Sequence, residues 1–308
     1  VLFVFLQYAT TFHQFCLGIF AVMLVADSFR PAMFVALSAY SKPENKTRSV
    51  TLIRLAINLG FSAGPAIGGL IITGIGYEGL FWTDGVTCVL AAFLLLKVLH
   101  PKKAKVQDEV KVENPVSAYE DKAFWIFFIA MFIFGFVFMQ YFSTMPLYYK
   151  EAHYLSEFEI GLLMGLSGFF IFIFEMPLIK WLEETQKSQV KLIALGLFLV
   201  GLSIFILNIF GWIGILVIGI LLMSTGEMIA FPFSNAFAIE RAKKGNQGEY
   251  MALYGISFSL SHIFSHNVGM QMVDEFGFET TWTAITIFAF IGVLILIYLL
   301  RVLKKEVL

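Results

Sequence analysis

Apolar residues in this chain do not alternate with polar ones; they run together in stretches of helical length, broken by short polar joints. Such stretches occupy residues 15–38, 49–73, 79–99, 123–145, 159–179, 190–209, 211–234, 249–271 and 280–300. A helix needs about 20 consecutive apolar residues to cross the hydrocarbon core of a bilayer, so each stretch reads as a membrane span. No run shows the period-two alternation of a membrane β-strand. The predicted fold class is an all-α, polytopic membrane helical bundle with nine complete spans, and residues 1–6 read as the tail of another.

One hydrophilic segment interrupts this series. Residues 100–122 turn to Lys, Glu, Asp, Val and Pro and carry no apolar face long enough to cross a membrane. They divide the chain into 1–99, a linker at 100–122, and 123–308. Lys and Arg are retained on the cytoplasmic side. When alternate loops are assigned to opposite sides, 18 of the 21 basic residues fall on the side of the linker and the C-terminus, Lys150 falls on the other, and Arg30 and Arg54 lie within spans. The linker and C-terminus are therefore expected in the cytoplasm. Six spans after the linker and three before it predict a duplicated bundle of twelve, with three more spans ahead of Val1.

Within the second span, Ala56, Gly60, Gly64 and Gly68 recur at every fourth position and form a smooth helix ridge, with Pro65 and Gly69 beside it. In lipid, small residues let a second helix backbone come close. Pro65 removes a backbone donor and bends the helix at a fixed place. The stretch carries no charge, which suits a dry packing or gating seam better than a binding site.

Composition sharpens the class. With 59% hydrophobic and 14% charged residues and a mean hydropathy of +0.82, the chain falls far from soluble domains, in which about a quarter of residues are charged. The net charge of -1 offers no nucleic acid an electrostatic footprint. Cys16 and Cys88 both fall in apolar runs and read as small buried hydrophobes. The 35 Phe and 12 Met suit a greasy cavity, although aromatic bulk in such a chain also commonly faces lipid.

The Gly60-x-x-x-Gly64-Pro65-x-x-Gly68-Gly69 pattern, two spans before a cytoplasmic central loop, resembles the antiporter motif of the major facilitator superfamily, found in the fifth helix of drug/proton antiporters. Phe29-Arg30-Pro31-Ala32, Gly226-Glu227-Met228 with Pro232, and Gly248-Glu249-Tyr250-Met251 support the likeness. The nine spans would then be helices 4 to 12 of that fold. The resemblance implies a single-chain transporter of the cell (inner) membrane, expected to be a monomer, with a central cavity lined by its first, fourth, seventh and tenth helices. Asp27, Arg30 and Glu227 would line that cavity. The basic residue that antiporters place early in the fourth helix should fall near Ile19, where no Arg stands, so its duties do not pass to Arg30.

Ionisable groups at membrane depth are costly and mark candidate sites. Asp27 and Arg30, three residues apart, either pair with each other or take part in coupling. Glu227 lies midway along its span with no basic neighbour in sequence. Desolvation favours the neutral form of a carboxyl, so Glu227 reads as a proton-coupling site or as a permanently protonated, hydrogen-bonded acid. Arg54 and Glu175 could bridge the two halves as a gate or snorkel separately to the headgroups. His262 and His266, at i and i+4, suggest a relay against a default of packed, hydrogen-bonded histidines; without a third ligand they offer no metal site. Asn58, Gln140 and Asn235 could meet substrate or cap neighbouring helices.

The expected function is secondary transport by alternating access, driven by a proton gradient with no bound cofactor and exporting a small apolar or amphiphilic compound. The alternatives are a proton-coupled symporter for a sugar or peptide and, from another class, a membrane receptor or enzyme. An enzyme would cluster its ionisable groups near one membrane face, and here they are dispersed over separate spans.

Overall fold

The computed structural model describes residues 2–40, 46–98, 117–242 and 247–307. Their regular elements are α1 (Leu2–Phe5), a single 3-10 turn, α2 (Phe12–Tyr40), α3 (Lys46–Ile75), α4 (Glu78–Val98), α5 (Lys122–Met139), α6 (Met145–Glu151), α7 (Glu157–Glu184), α8 (Gln189–Ile209), α9 (Gly214–Ala242) and α10 (Gln247–Val307). Among the described residues there is no strand. Among the described residues, six helices are long and apolar enough to cross a membrane: α4, α5, α7, α8, α9 and α10. In α2 and α3 the described apolar segments are shorter, Phe12–Ala26 and Ala63–Ile75.

α10 is two helical arms joined at Gly277, whose φ of 75° and ψ of 173° lie in a region that side-chain-bearing residues avoid. A Cβ there would meet nothing within 4 Å, so the backbone conformation requires glycine and crowding does not.

Two expected spans have other bounds. The apolar run at 123–145 is helical only to Met139. The chain then turns through 140–144, where the Met145 amide donates to the Gln140 carbonyl at 2.8 Å. Pro146 opens α6 in the first turn, where a missing N–H leaves nothing unpaired. The run expected at 211–234 is helical from Gly214 to Ala242. Its last turns extend past the apolar stretch because Arg241 finds acidic partners there.

The chain divides into two compact units, Val1–Glu109 with Glu157–Leu162, and Val110–Ser156 with Leu163–Leu308. In the first unit, the tight contact lies one row away from the predicted ridge. A Cβ on Gly161 of α7 would stand 2.8 Å from the Pro65 carbonyl oxygen, and one on Gly69 would stand 3.1 Å from the Glu157 carbonyl oxygen. At Gly60 and Gly64 a Cβ would meet no described atom within 4 Å, and at Gly68 only a Leu80 methyl at 3.8 Å. Cys16 and Cys88 are exposed free thiols on α2 and α4, not buried as their apolar surroundings suggested. Apolar context in a membrane chain does not distinguish a packed helix face from an outward one.

In the second unit, most phenylalanines of α5 form core. Phe124, Phe127 and Phe134 are fully buried. Phe127 meets Phe237 with centroids 4.6 Å apart, and Phe134 meets Phe231 edge-on at 5.1 Å. Edge-on and tilted pairs of this kind add about 0.5–1.5 kcal/mol each beyond the area they bury. α8 and α9 approach at bare backbone: a Cβ on Gly196 would lie 2.7 Å from the Gly226 carbonyl oxygen, and one on Gly226 would lie 2.6 Å from that of Gly196. This reciprocal glycine contact is the close helix seam that small residues permit in lipid.

Candidate functional site

The Gly196–Gly226 seam fixes the neighbourhood of Glu227. On α9, Ser224 and Thr225 return their hydroxyls to the carbonyls four residues back, Ile220 and Leu221, at 2.7 and 2.8 Å. No polar group of theirs is then left unpaired in an apolar setting. Ser224 also meets Ser167 of α7 across 2.7 Å, which ties the two helices. Glu227 follows, half-buried, and among the described residues it makes no hydrogen bond. Its electrostatic neighbour is Glu175 of α7, which is 7% exposed. That burial removes Glu175 from the headgroup position that snorkelling would give it. Beside the pair runs a groove of about 350 Å³ lined by Phe170, Phe174 and Trp181 of α7 and by Thr225 and Met228, which flank Glu227.

Ionisable groups in apolar surroundings are costly and mark a candidate site, and an apolar groove alongside offers room for a greasy solute. The arrangement has acid–base capacity and a binding surface without a nucleophile–base pair. Among the described residues no three His, Cys, Asp or Glu side chains come together to hold a metal.

The side chains of Asp27, Arg30, Arg54 and Asn58 lie outside the described residues, so the Asp27–Arg30 pair and the Arg54–Glu175 gate are not described. His262 and His266 are both exposed, and the packed row of that arm belongs to the serines between them. Ser261 donates to the Phe132 carbonyl at 2.7 Å, and the Ser265 carbonyl accepts from Gln140 Nε2 at 2.9 Å. The expectation of packed histidines is therefore corrected by one position in helical register. Gln140 is fully buried; its Oε1 also accepts from Thr144 at 2.7 Å, so it ties α5 to the first arm of α10. Asn235 is exposed.

A second polar cluster escaped the sequence reading. Arg241, at the end of α9, donates Nε and Nη2 to the Asp121 carboxylate at 2.6 and 2.7 Å, and Nη1 and Nη2 to Glu306 at 2.6 and 2.8 Å. Asp121 also accepts from the Phe124 amide at 3.0 Å, capping α5, and from the Tyr250 hydroxyl at 2.9 Å. The Arg241–Asp121 pair thus joins the end of α9 to the start of α5 and, through Glu306 and Tyr250, to both arms of α10. Burial pushes the Asp121 carboxyl up, but the Arg241 hydrogen bonds and charge, with the Phe124 amide and Tyr250 hydroxyl, outweigh it and the net displacement is downward. Nearby, Glu249 accepts from Ser117 Oγ at 2.8 Å and from the Ala118 amide at 3.0 Å, docking the last residues before α5. The available signal was an Asp immediately before a long apolar run, the usual N-cap position; its partners, 120 and more residues away, had none.

The family model described as Major Facilitator Superfamily matches residues 1–266. The chain belongs to the major facilitator superfamily. This superfamily member is 19% identical over 278 residues to a Na(+), Li(+), K(+)/H(+) antiporter of Planococcus maritimus, covering 81% of this chain and 65% of that one. It is 26% identical over 172 residues to an uncharacterized transporter of Buchnera aphidicola, covering 54% of this chain and 42% of that one. The chain thus spans less than two thirds of the length of these relatives. Among solved structures, a POT family transporter in complex with a thioalcohol-conjugated peptide superposes with a TM-score of 0.80 at 15% identity, covering 99% of this chain and 79% of that one. These matches show the superfamily fold and a membrane-embedded chain.

Proposed function

We propose that this superfamily member is a proton-coupled secondary transporter that exports a small apolar or amphiphilic organic compound, with Glu227 as the coupling acid. The observation that carries the reading is the Glu227–Glu175 neighbourhood: a carboxyl without a hydrogen bond, beside a second buried carboxyl, on the edge of an aromatic groove. In alternating access, a carboxyl that is neutral when enclosed and charged when wet gives the proton gradient a handle on the conformational cycle. The likeness to a cation/proton antiporter supports counter-transport. The test is E227Q in the full-length protein reconstituted into liposomes. Substrate-dependent proton flux is abolished while expression and folding persist; flux at the parental rate would overturn the assignment.

A second reading, proton-coupled uptake of peptides, is favoured by the fold likeness to a peptide-bound POT family transporter. Accumulation of labelled dipeptide inside proton-energised vesicles would support it, whereas export predicts outward movement of hydrophobic cations or dyes.

A further inference from the structure

At the end of the second unit opposite the linker, α6, the close of α8 and the start of the second arm of α10 enclose a pocket of about 270 Å³. Tyr148, Asn208, Phe210, Phe278, Glu279 and Trp282 are among its walls. Three of the rings meet directly. Tyr148 stands edge-on to Phe278 at 5.1 Å and to Trp282 at 5.5 Å between centroids, and Phe278 and Trp282 lie 6.1 Å apart, 27° from parallel. Glu279 is exposed, and among the described residues its carboxylate has no hydrogen bond or ion pair. Trp282 is fully buried, yet its indole N–H has no acceptor among the described residues.

These features call for a particular guest. Aromatic faces attract a cation, and a nearby carboxylate neutralises it. An indole donor left unpaired in a dry place is destabilising, and a guest oxygen seated against Trp282 would relieve it. A pocket of about 270 Å³ is below the usual range for drug-sized ligands and suits a head group. His153 lies edge-on to Tyr148 at 4.9 Å, and burial lowers its pKa, so at neutral pH it adds no opposing positive charge. None of these residues lines the groove beside Glu227.

We propose that this pocket binds a small organic ammonium group with an oxygen a few bonds away, the chemistry shared by soluble choline-type amines and by the head group of an ethanolamine phospholipid. With the linker end in the cytoplasm, the pocket opens at the outer headgroup level, within reach of both sources.

The test titrates choline into the purified full-length protein in detergent and follows tryptophan fluorescence. A saturable change is expected, and its loss in W282F assigns the signal to the Trp282 indole. In E279Q, whose altered side chain is exposed and leaves the fold intact, the dissociation constant rises about threefold to fivefold, as loss of an exposed ion pair predicts. The titration is repeated in nanodiscs of phosphatidylglycerol with and without phosphatidylethanolamine. Loss of the choline response only when phosphatidylethanolamine is present identifies the lipid as occupant; an unchanged response identifies the soluble amine. No saturable change, an unaltered affinity in E279Q, or an equal response to the uncharged carbon analogue of choline would overturn the proposal.

Discussion

Truncating Asp121 tests the ion-pair cluster that ties three helices of the second unit. D121A removes an N-cap worth about 1 kcal/mol, two charge-assisted bonds from Arg241 in the class of about 1.5–3 kcal/mol each, and the bond from the Tyr250 hydroxyl. These do not add, because Arg241 keeps Glu306. Breaking a buried pair by removing one partner costs about 3–5 kcal/mol. The Arg241 and Asp121 side chains are 9% and 4% exposed while Glu306 is 35% exposed, so water partly compensates the orphaned guanidinium and the lower end, about 3 kcal/mol, applies. For 150–250 residues each kcal/mol moves Tm by about 2–4 °C, giving a fall of about 6–12 °C. The assay is thermal unfolding of detergent-solubilised protein followed by size-exclusion fluorescence. D121N keeps a capping oxygen and loses the ion pair, so it should fall between D121A and the parent. A D121A shift under about 2 °C, or D121N equal to D121A, would refute the reasoning. The pH dependence carries a sign. The Asp121 carboxyl is displaced downward in the folded protein, so its contribution is fully present above the ordinary carboxylate value of about 3.9 and is lost as pH falls through the folded value. Stability from this cluster should be flat from pH 5 to 8 and should drop only in stronger acid.

Other predictions follow from backbone contacts. G196V places methyls against the Gly226 carbonyl and Ala230 and should cost about 1–3 kcal/mol or more through overpacking, read as a lower Tm or a loss of monodisperse protein. G277A meets no neighbour but is forced into glycine-only backbone, so it should lose about 1–3 kcal/mol in the same unfolding assay; an unchanged Tm would mean that this φ is not kept in solution. G64L has open space in this conformation and should fold normally, while G161L drives a side chain into the Pro65 carbonyl and should not. Transport by G64L in liposomes then reports on cycling alone: a reduced rate with parental Tm means that the ridge closes against a neighbour in another state, and a parental rate removes the ridge from the cycle.

The run lengths of apolar residues by themselves determined the class of this protein, because bilayer thickness sets helix length and the cost of bare peptide groups in lipid forces helices. The Gly-Pro stretch and the order of spans pointed to the superfamily for the same reason: close helix approach demands small residues at fixed spacing, and spacing is visible in a sequence. Glu227 was also legible, since an acid amid apolar residues stands out. Its company was not. Glu175 precedes it by more than fifty residues, and only the packing of α7 against α9 through Ser167 and Ser224 brings the two carboxyls within each other's field. The same limit hid the Asp121–Arg241–Glu306 cluster, which looks in sequence like three unrelated charges in solvated joints. Helical register decided the rest by single positions, burying Ser261 and Ser265 while exposing His262 and His266, and turning the Pro65–Gly69 row toward α7 while Gly60 and Gly64 meet open space. A hydropathy pattern sets where helices are; which of their faces meet, and so which charges become partners, depends on packing between segments far apart in the chain.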